Sequence, residues 1–238
     1  MRARRSRPRA AGRSGRRAAG RSGHRAAGHS GHRVAAAAAT ALPPDVHADS
    51  LSRLPLRTRE EMDAPGQRLY DAVVGPQSRT LVGLQGPSGI WLHSPRLGEL
   101  QRAVNQYLRF DTALGRRLTE LAILVAAREL DSQFEWTAHE PAALIEGLEQ
   151  KIIDVVKRRR PVAGLPAKEA AIVGFGRELF RRRKVQSRTF ARAVELFGRQ
   201  GVVELVALMG NYAATALVFR AVDQRVHPGR KPLLPIPR

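Results

Sequence analysis

The 238 residues contain no cysteine. That excludes disulfides, thiolate metal sites and any thiol nucleophile within them. Aromatic residues make up only 5%, with two Trp and three Tyr, so there is little from which to build a base-stacking surface. No stretch alternates apolar and polar residues as a half-buried strand requires. Gly-x-Gly-x-x-Gly, phosphate-loop and Gly-x-Ser-x-Gly elements are missing too, and the histidines are too scattered to suggest a metal site. Long uninterrupted apolar runs are also lacking. The nearest, Val202 to Val222, is broken by Glu204 and Asn211 and falls short of the roughly 20 apolar residues of a membrane span.

Acidic residues are absent from residues 1–40, which hold eleven Arg. The formal charge of +20 is therefore uneven: the remainder holds 30 basic against 21 acidic residues and is only moderately basic. Residues 9–33 carry an eight-residue repeat, RAAGRSGR, RAAGRSGH, RAAGHSGH and then Arg33. With no large apolar residue before Val34, the expectation is a disordered tail over 1–45. Its alternatives are an inert or start-site artefact (with translation beginning near Met62), a targeting leader, or weak nonspecific anion binding through arginine. A Pro-punctuated linker is expected over 46–58, one helical domain over 59–225, and a Pro-rich tail over 226–238.

What is present is helical periodicity, which makes the expected class all-α with about seven or eight helices. Helices are expected at Glu60–Val74 with Pro65 in the first turn, Pro95–Phe110 after an Ser94 cap, Glu149–Arg160, Ala167–Arg183, Ser187–Phe197 and Val202–Val222. The Gly/Pro-rich stretch 75–95, containing Trp91 and His93, is too long for a simple turn and reads as a binding loop or ordered lid. At the centre, Arg116 to Gly147 reads as a helix, a break at Asp131-Ser132, and a second helix stopping at Gly147. The first of these is apolar on nearly every side, through Leu118, Leu121, Ile123, Leu124 and Val125, with Glu120 alone among them. On the second, Glu135 and His139 stand four apart and share a face. Each has an ordinary explanation. Ser132 with Glu135 fits a capping box, Glu120 could pair with Arg116 or Arg117, and His139 could be a satisfied core histidine.

The spacing of these residues resembles the carboxymuconolactone decarboxylase family, which includes the alkyl hydroperoxidase D-type thiol peroxidases. The peroxidase branch carries Glu, then twelve residues on a Cys-x-x-Cys, then His four beyond. Here Glu120 keeps the Glu and His139 the His, while Ser132 and Glu135 stand where the two cysteines would be. The segment Phe134 to Pro141 looks like a cysteine-free branch, and relatives carry a segment similar to Leu92-His93-Ser94-Pro95. The resemblance implies an alkyl hydroperoxidase D-like helical bundle assembled as a trimer or dimer of trimers. It also implies non-redox acid–base chemistry on a small lactone or ring carboxylic acid, with no cofactor and no metal. His139, Glu120 and Glu135 are the expected catalytic residues, one of the acids raising the pKa of His139. Ser132, Trp136, His93, Trp91 and Tyr212 are the expected pocket residues. The decarboxylases resemble His-Glu-Leu-x-x-His at this point, and Phe134 replaces that first His. The alternative is a non-catalytic, ligand-binding oligomeric scaffold whose peroxidase activity is lost for want of cysteines. A cytoplasmic location without membrane partners is expected. Two apolar helices, 118–127 and 202–222, are more than one small domain is expected to bury all round, which is the physical motive for an oligomer.

Overall fold

The computed structural model describes residues 42–236. The tail over 1–41 with its repeat, and residues 237–238, lie outside the described residues. Among the described residues there are eight α-helices and no strand. They are α1 (Ala64–Val74), α2 (Pro87–Trp91), α3 (Pro95–Phe110), α4 (Arg116–Glu129), α5 (Gln133–Ile145), α6 (Gln150–Lys157), α7 (Ala167–Arg177) and α8 (Ser187–Ala221).

Helix α4 is the axis of the bundle, packing against α3, α5, α6, α7 and α8. Leu121 to Ala127 are essentially inaccessible to solvent. The expected surplus of apolar surface is therefore absent at α4, which one chain buries all round. Of these two helices it is α8 that keeps a surplus: Val203, Val206 and Leu217 stay exposed while Leu205, Leu208 and Met209 are buried. Helix α8 is long and apolar enough by composition to cross a membrane, yet half of its apolar stretch is buried in the chain. The two helices expected here are both present within α8, separated by a kink at Gly198, whose φ of +71° is open to glycine at no steric cost.

The α4–α5 corner is built by local chemistry. Asp131 takes a left-handed conformation, φ +49°. The Asp131 N–H donates to the Arg128 carbonyl at 3.2 Å and that of Ser132 to Ala127 at 2.8 Å, closing α4 with the paired bonds of a Schellman turn. The Asp131 carboxylate is held by Arg128 and Arg159, each at 3.0 Å, which offsets the strain of a non-glycine residue there. Helix α5 ends the same way: Gly147, at φ +81°, donates to Leu144, and Leu148 to Ala143. The corner turns the chain back so that α5 lies along α4.

The ends are tied into the same body. In the segment 46–58, Val46 and Leu51 are buried and the Arg53 N–H donates to the Val222 carbonyl at 2.7 Å. Beyond 225, Leu234 joins the core, and Arg128 donates to the Pro235 carbonyl at 3.1 Å. Boundaries of the early helices shift slightly. Asp63 rather than Glu60 opens α1, its carboxylate accepting from the Gly66 N–H at 3.0 Å, with Pro65 in the first turn. The last turn expected for the Ala167 helix winds into a π-helical turn, Glu178–Arg182.

Candidate active site

Three helices each present a polar face to one cavity of about 100 Å³. From α3 come Gln101, Arg102, Asn105, Gln106 and Arg109; from α5, Phe134, Glu135, Ala138 and His139; from α8, Asn211, Tyr212, Thr215 and Phe219. The loop from Arg79 to Val82, with Trp91, closes the remaining side. Such a volume admits several waters or one small ligand.

His139 is the centre of the chemistry. Its Nδ1–H donates to Oε2 of Glu120 at 2.7 Å, and both side chains are buried. An ionised carboxylate only accepts, so the proton of a neutral imidazole sits on Nδ1 and Nε2 keeps its lone pair. Tyr212 packs edge-on against the ring, centroids 5.0 Å apart. Burial pulls the pKa of His139 below the ordinary imidazole value, and Arg109 and Arg116 act in the same direction, outweighing the pull of Glu120. Glu120 does pull it upwards, as expected, but burial, aided by the two arginines, outweighs that pull and the net shift is downwards, which favours the neutral imidazole.

Burial also works against the charge on Glu120, but His139, Arg109 and Arg116 together hold its carboxyl below the usual range. Arg116 lies at 3.3 Å and Arg109 at 3.5 Å from Oε1. Arg117 turns away to Glu169 and Glu149. Around the same corner, the Phe110 ring is flanked by the guanidinium groups of Arg79, Arg109 and Arg116, 4.3–4.9 Å from its centroid.

Glu135 is the opposite case. It is 3% exposed, and neither carboxylate oxygen has a hydrogen-bond partner. Burial pushes its pKa up to about 8 against a smaller opposing pull from the nearby Ser132 hydroxyl, so at neutral pH it is mostly a protonated acid facing the cavity. The expected capping box does not form, because Ser132 at the α5 N-cap makes no side-chain cap bond. Its own N–H is committed to closing α4, and Glu135 turns towards the cavity instead.

Of the remaining expected pocket residues, Trp91 and Tyr212 line the cavity, whereas Ser132, Trp136 and His93 do not. Trp136 is wholly buried on the other side of α5, its indole N–H donating to Glu140, which also pairs with Lys157 at 2.8 Å. His93 binds the Pro55 carbonyl at 2.9 Å in a separate small cleft. Phe134 packs on Phe219, centroids 4.7 Å apart, and makes one end of the cavity apolar.

Sequence reasoning missed Arg79, Arg102, Arg109 and the α3 amides. The signal available was the polar stripe 101, 102, 105, 106, 109 at helical spacing, which by default reads as a solvated face. Among the described residues no three His, Asp or Glu side chains gather as a metal site.

The arrangement is that of an alkyl hydroperoxidase D-like helical bundle. A crystal structure described as the alkylhydroperoxidase AhpD core of an uncharacterized peroxidase-related protein from Ralstonia eutropha JMP134 superposes with TM-score 0.61. The identity is 16%, over 76% of this chain and 98% of that one, so the likeness is one of fold. Residues 95–173, spanning α3 to most of α7 and including Glu120, Glu135 and His139, match the Carboxymuconolactone decarboxylase family. No curated protein matches the chain.

Proposed function

We propose that this protein is a non-redox acid–base catalyst of the carboxymuconolactone decarboxylase type, acting on a small lactone or ring carboxylic acid. One observation carries the reading: a neutral imidazole oriented by a buried carboxylate, His139 on Glu120 at 2.7 Å, shares a cavity with the unpartnered Glu135. When a carboxylate next to an activating carbonyl is lost as CO2, the bonding electron pair stays on carbon as an enolate. That carbon must then take a proton. Glu135, protonated at neutral pH, is suited to donate it and to recover it from water. His139, with Nε2 free, is suited to accept a proton from carbon in the related proton-transfer reaction, with Glu120 holding the ring. Each such group contributes about 10²–10⁴-fold in rate.

The test is a panel of small lactones and ring acids incubated in D2O with the protein, followed by NMR for loss of the carboxylate or deuterium on carbon. Turnover is expected with the wild type and is lost in His139→Ala with an unchanged circular-dichroism spectrum. Equal turnover by that variant removes His139 from the chemistry. A second reading, a ligand-binding scaffold without turnover, is favoured by Phe134, an apolar ring where the decarboxylases carry His. Binding of a panel member without conversion would select it.

Self-association is part of the proposal. Leu97, Leu100, Val104 and Tyr107 on α3 and Val203, Val206 and Leu217 on α8 are exposed, and the two helices border one shallow apolar groove. This supports self-association, for which the family resemblance implies a trimer or dimer of trimers. A sedimentation mass of one chain at micromolar concentration would refute it.

A further inference from the structure

The end of the bundle where α4, α6 and α7 finish carries charge that no acid–base step uses. Two basic runs meet there: KRRR at 157–160, closing α6, and RRRK at 181–184, in and after the π-helical turn. None of these residues lines the cavity. The innermost arginines of this end serve the fold. Arg159 donates to the Arg128 carbonyl at 3.0 Å, and Arg177 to the carbonyls of Arg160 at 2.7 Å and Val155 at 3.1 Å, satisfying the open ends of α4 and α6. The acids are engaged as well: Glu129 with Arg177 and Arg181, Asp131 with Arg128 and Arg159, Glu140 with Lys157. Glu178 accepts from the Gln186 N–H at 2.8 Å and from Thr189, and Asp154 accepts from Gln150. Five cations are left over: Arg158, Arg160, Arg182, Arg183 and Lys184. All are exposed, and among the described residues none has a carboxylate within ion-pair distance. Residues 1–41 can supply none, since they contain no acid.

The fold holds this charge together against its own repulsion. Burial, helped by the facing arginines, pushes Arg128 and Arg177 below the usual guanidinium range. Arg183 also carries backbone strain: at φ +55° it occupies a left-handed position that glycine fills at lower cost, with no ion pair among the described residues to offset it. We propose that Arg158, Arg160, Arg182, Arg183 and Lys184 form a surface that binds the phosphate backbone of a nucleic-acid duplex without reading its bases. Four of the five are arginines, whose planar fork meets phosphate oxygens in pairs. Neither run carries an exposed aromatic side chain, and Phe180 beside the second is packed on the core, so there is no platform for the unstacked bases of a single strand. Neither run exposes a large apolar side chain either, as a surface inserting among lipids would. The surface is separate from the acid–base site and does not rest on its chemistry.

The experiment is fluorescence anisotropy of a labelled DNA duplex titrated with the full chain over a range of salt. The wild type should bind with a Kd on the order of 10⁻⁴–10⁻⁶ M at physiological salt, alike for duplexes of unrelated sequence. Arg158→Gln/Arg160→Gln and Arg182→Gln/Arg183→Gln should each weaken binding about tenfold or more and reduce the slope of log K against log salt by about two. Arg96→Gln/Lys231→Gln, which removes the same charge from exposed positions elsewhere, should leave the slope unchanged. Residues 1–41 are common to all the variants, so whatever they contribute cancels in these differences. The matching Arg→Lys pairs keep the charge and should recover most of the affinity; failure to recover would trace the loss to the fold and overturn the surface. Wild-type affinity and slope in both Arg→Gln pairs, or an equal loss in the Arg96/Lys231 pair, would overturn it too. So would tighter binding of a single strand than of the duplex. Co-sedimentation of the same variants with phosphatidylserine vesicles tests the other polyanion: binding that depends on the two runs there, but not on the duplex, would reassign the surface to a membrane.

Discussion

Glu120 and Glu135 are both almost completely buried, lie on consecutive helices and belong to the same site, yet they are held in opposite charge states. Glu120 meets two guanidinium groups and an imidazole N–H. Glu135 lines the cavity with neither oxygen hydrogen-bonded, and only the Ser132 hydroxyl opposes the effect of burial on its carboxyl. Burial raises the pKa of any carboxyl, and only neighbours able to donate to the anion reverse this. The site therefore stores one fixed negative charge behind His139 and one transferable proton in front of it. A pair of acids pushed apart in this way divides the labour of orientation and proton donation between them.

The largest effect that would break the comparison is expected at Glu120. Glu120→Gln removes the one anion shared by Arg109, Arg116 and His139; Arg116 keeps Glu146, but the buried Arg109 is left without a carboxylate. Urea unfolding should show a loss of about 3–5 kcal/mol, with turnover on any identified substrate abolished. A loss under about 1 kcal/mol would mean the cluster is not electrostatically coupled.

At Glu135 the contrast is sharpened by pH. Its folded-state pKa, about 8, lies above the ordinary 4.5, so its contribution to stability is fully present below about pH 4.5 and is lost as pH rises through about 8. Within that window the wild type should lose about 1.4 kcal/mol per pH unit relative to Glu135→Gln, which cannot ionise. At pH 5 the two should differ by less than about 1 kcal/mol, since an amide resembles the protonated acid in size. Turnover should still fall by about 10²-fold or more, because the amide has no proton to give. Parallel stability curves for the two proteins would show that Glu135 is ionised in the fold.

A smaller effect is expected at Ser132. As it makes no side-chain cap bond, Ser132→Ala should cost less than about 0.5 kcal/mol, below the roughly 1 kcal/mol usual for a lost cap. It should also lower activity far less than Glu120→Gln. A larger loss would restore the capping box and with it an ordinary explanation for Glu135. No effect at all is expected from hydroperoxide. A thiol cycle needs one thiolate to attack the peroxide and a second thiol to resolve the sulfenic acid, and Ser132 and Glu135 can do neither. Consumption of hydroperoxide with a dithiol reductant should equal the protein-free rate, and anything faster would require chemistry outside this site.

How far the site could be read beforehand depended on whether its signal was local. The i, i+4 spacing of Glu135 and His139 puts them on one helical face without further information, and both line the cavity. Gly147 as a helix stop needs only a left-handed backbone position, which it occupies. Trp136 and His93 were misplaced because aromatic and imidazole side chains serve cores and pockets alike, and which one depends on the facing element. Arg102 and Arg109 were passed over because a polar stripe on α3 looks the same whether it faces water or a cavity, and Arg79 because a loop position carries no periodic signal.

By itself, then, the sequence determined the all-α character, the order of the long helices, the stop at Gly147 and the shared face of Glu135 and His139. It also excluded thiol chemistry, since these follow from side-chain type and short-range periodicity. Only the tertiary structure decided that one chain encloses α4, that Glu120 meets His139 nineteen positions away, and that the buried oxygens of Glu135 are left without a hydrogen-bond partner. Charge state, protonation and ligand orientation all depend on which groups stand within a few ångströms in space, and the local pattern of a helix carries no record of what packs against it.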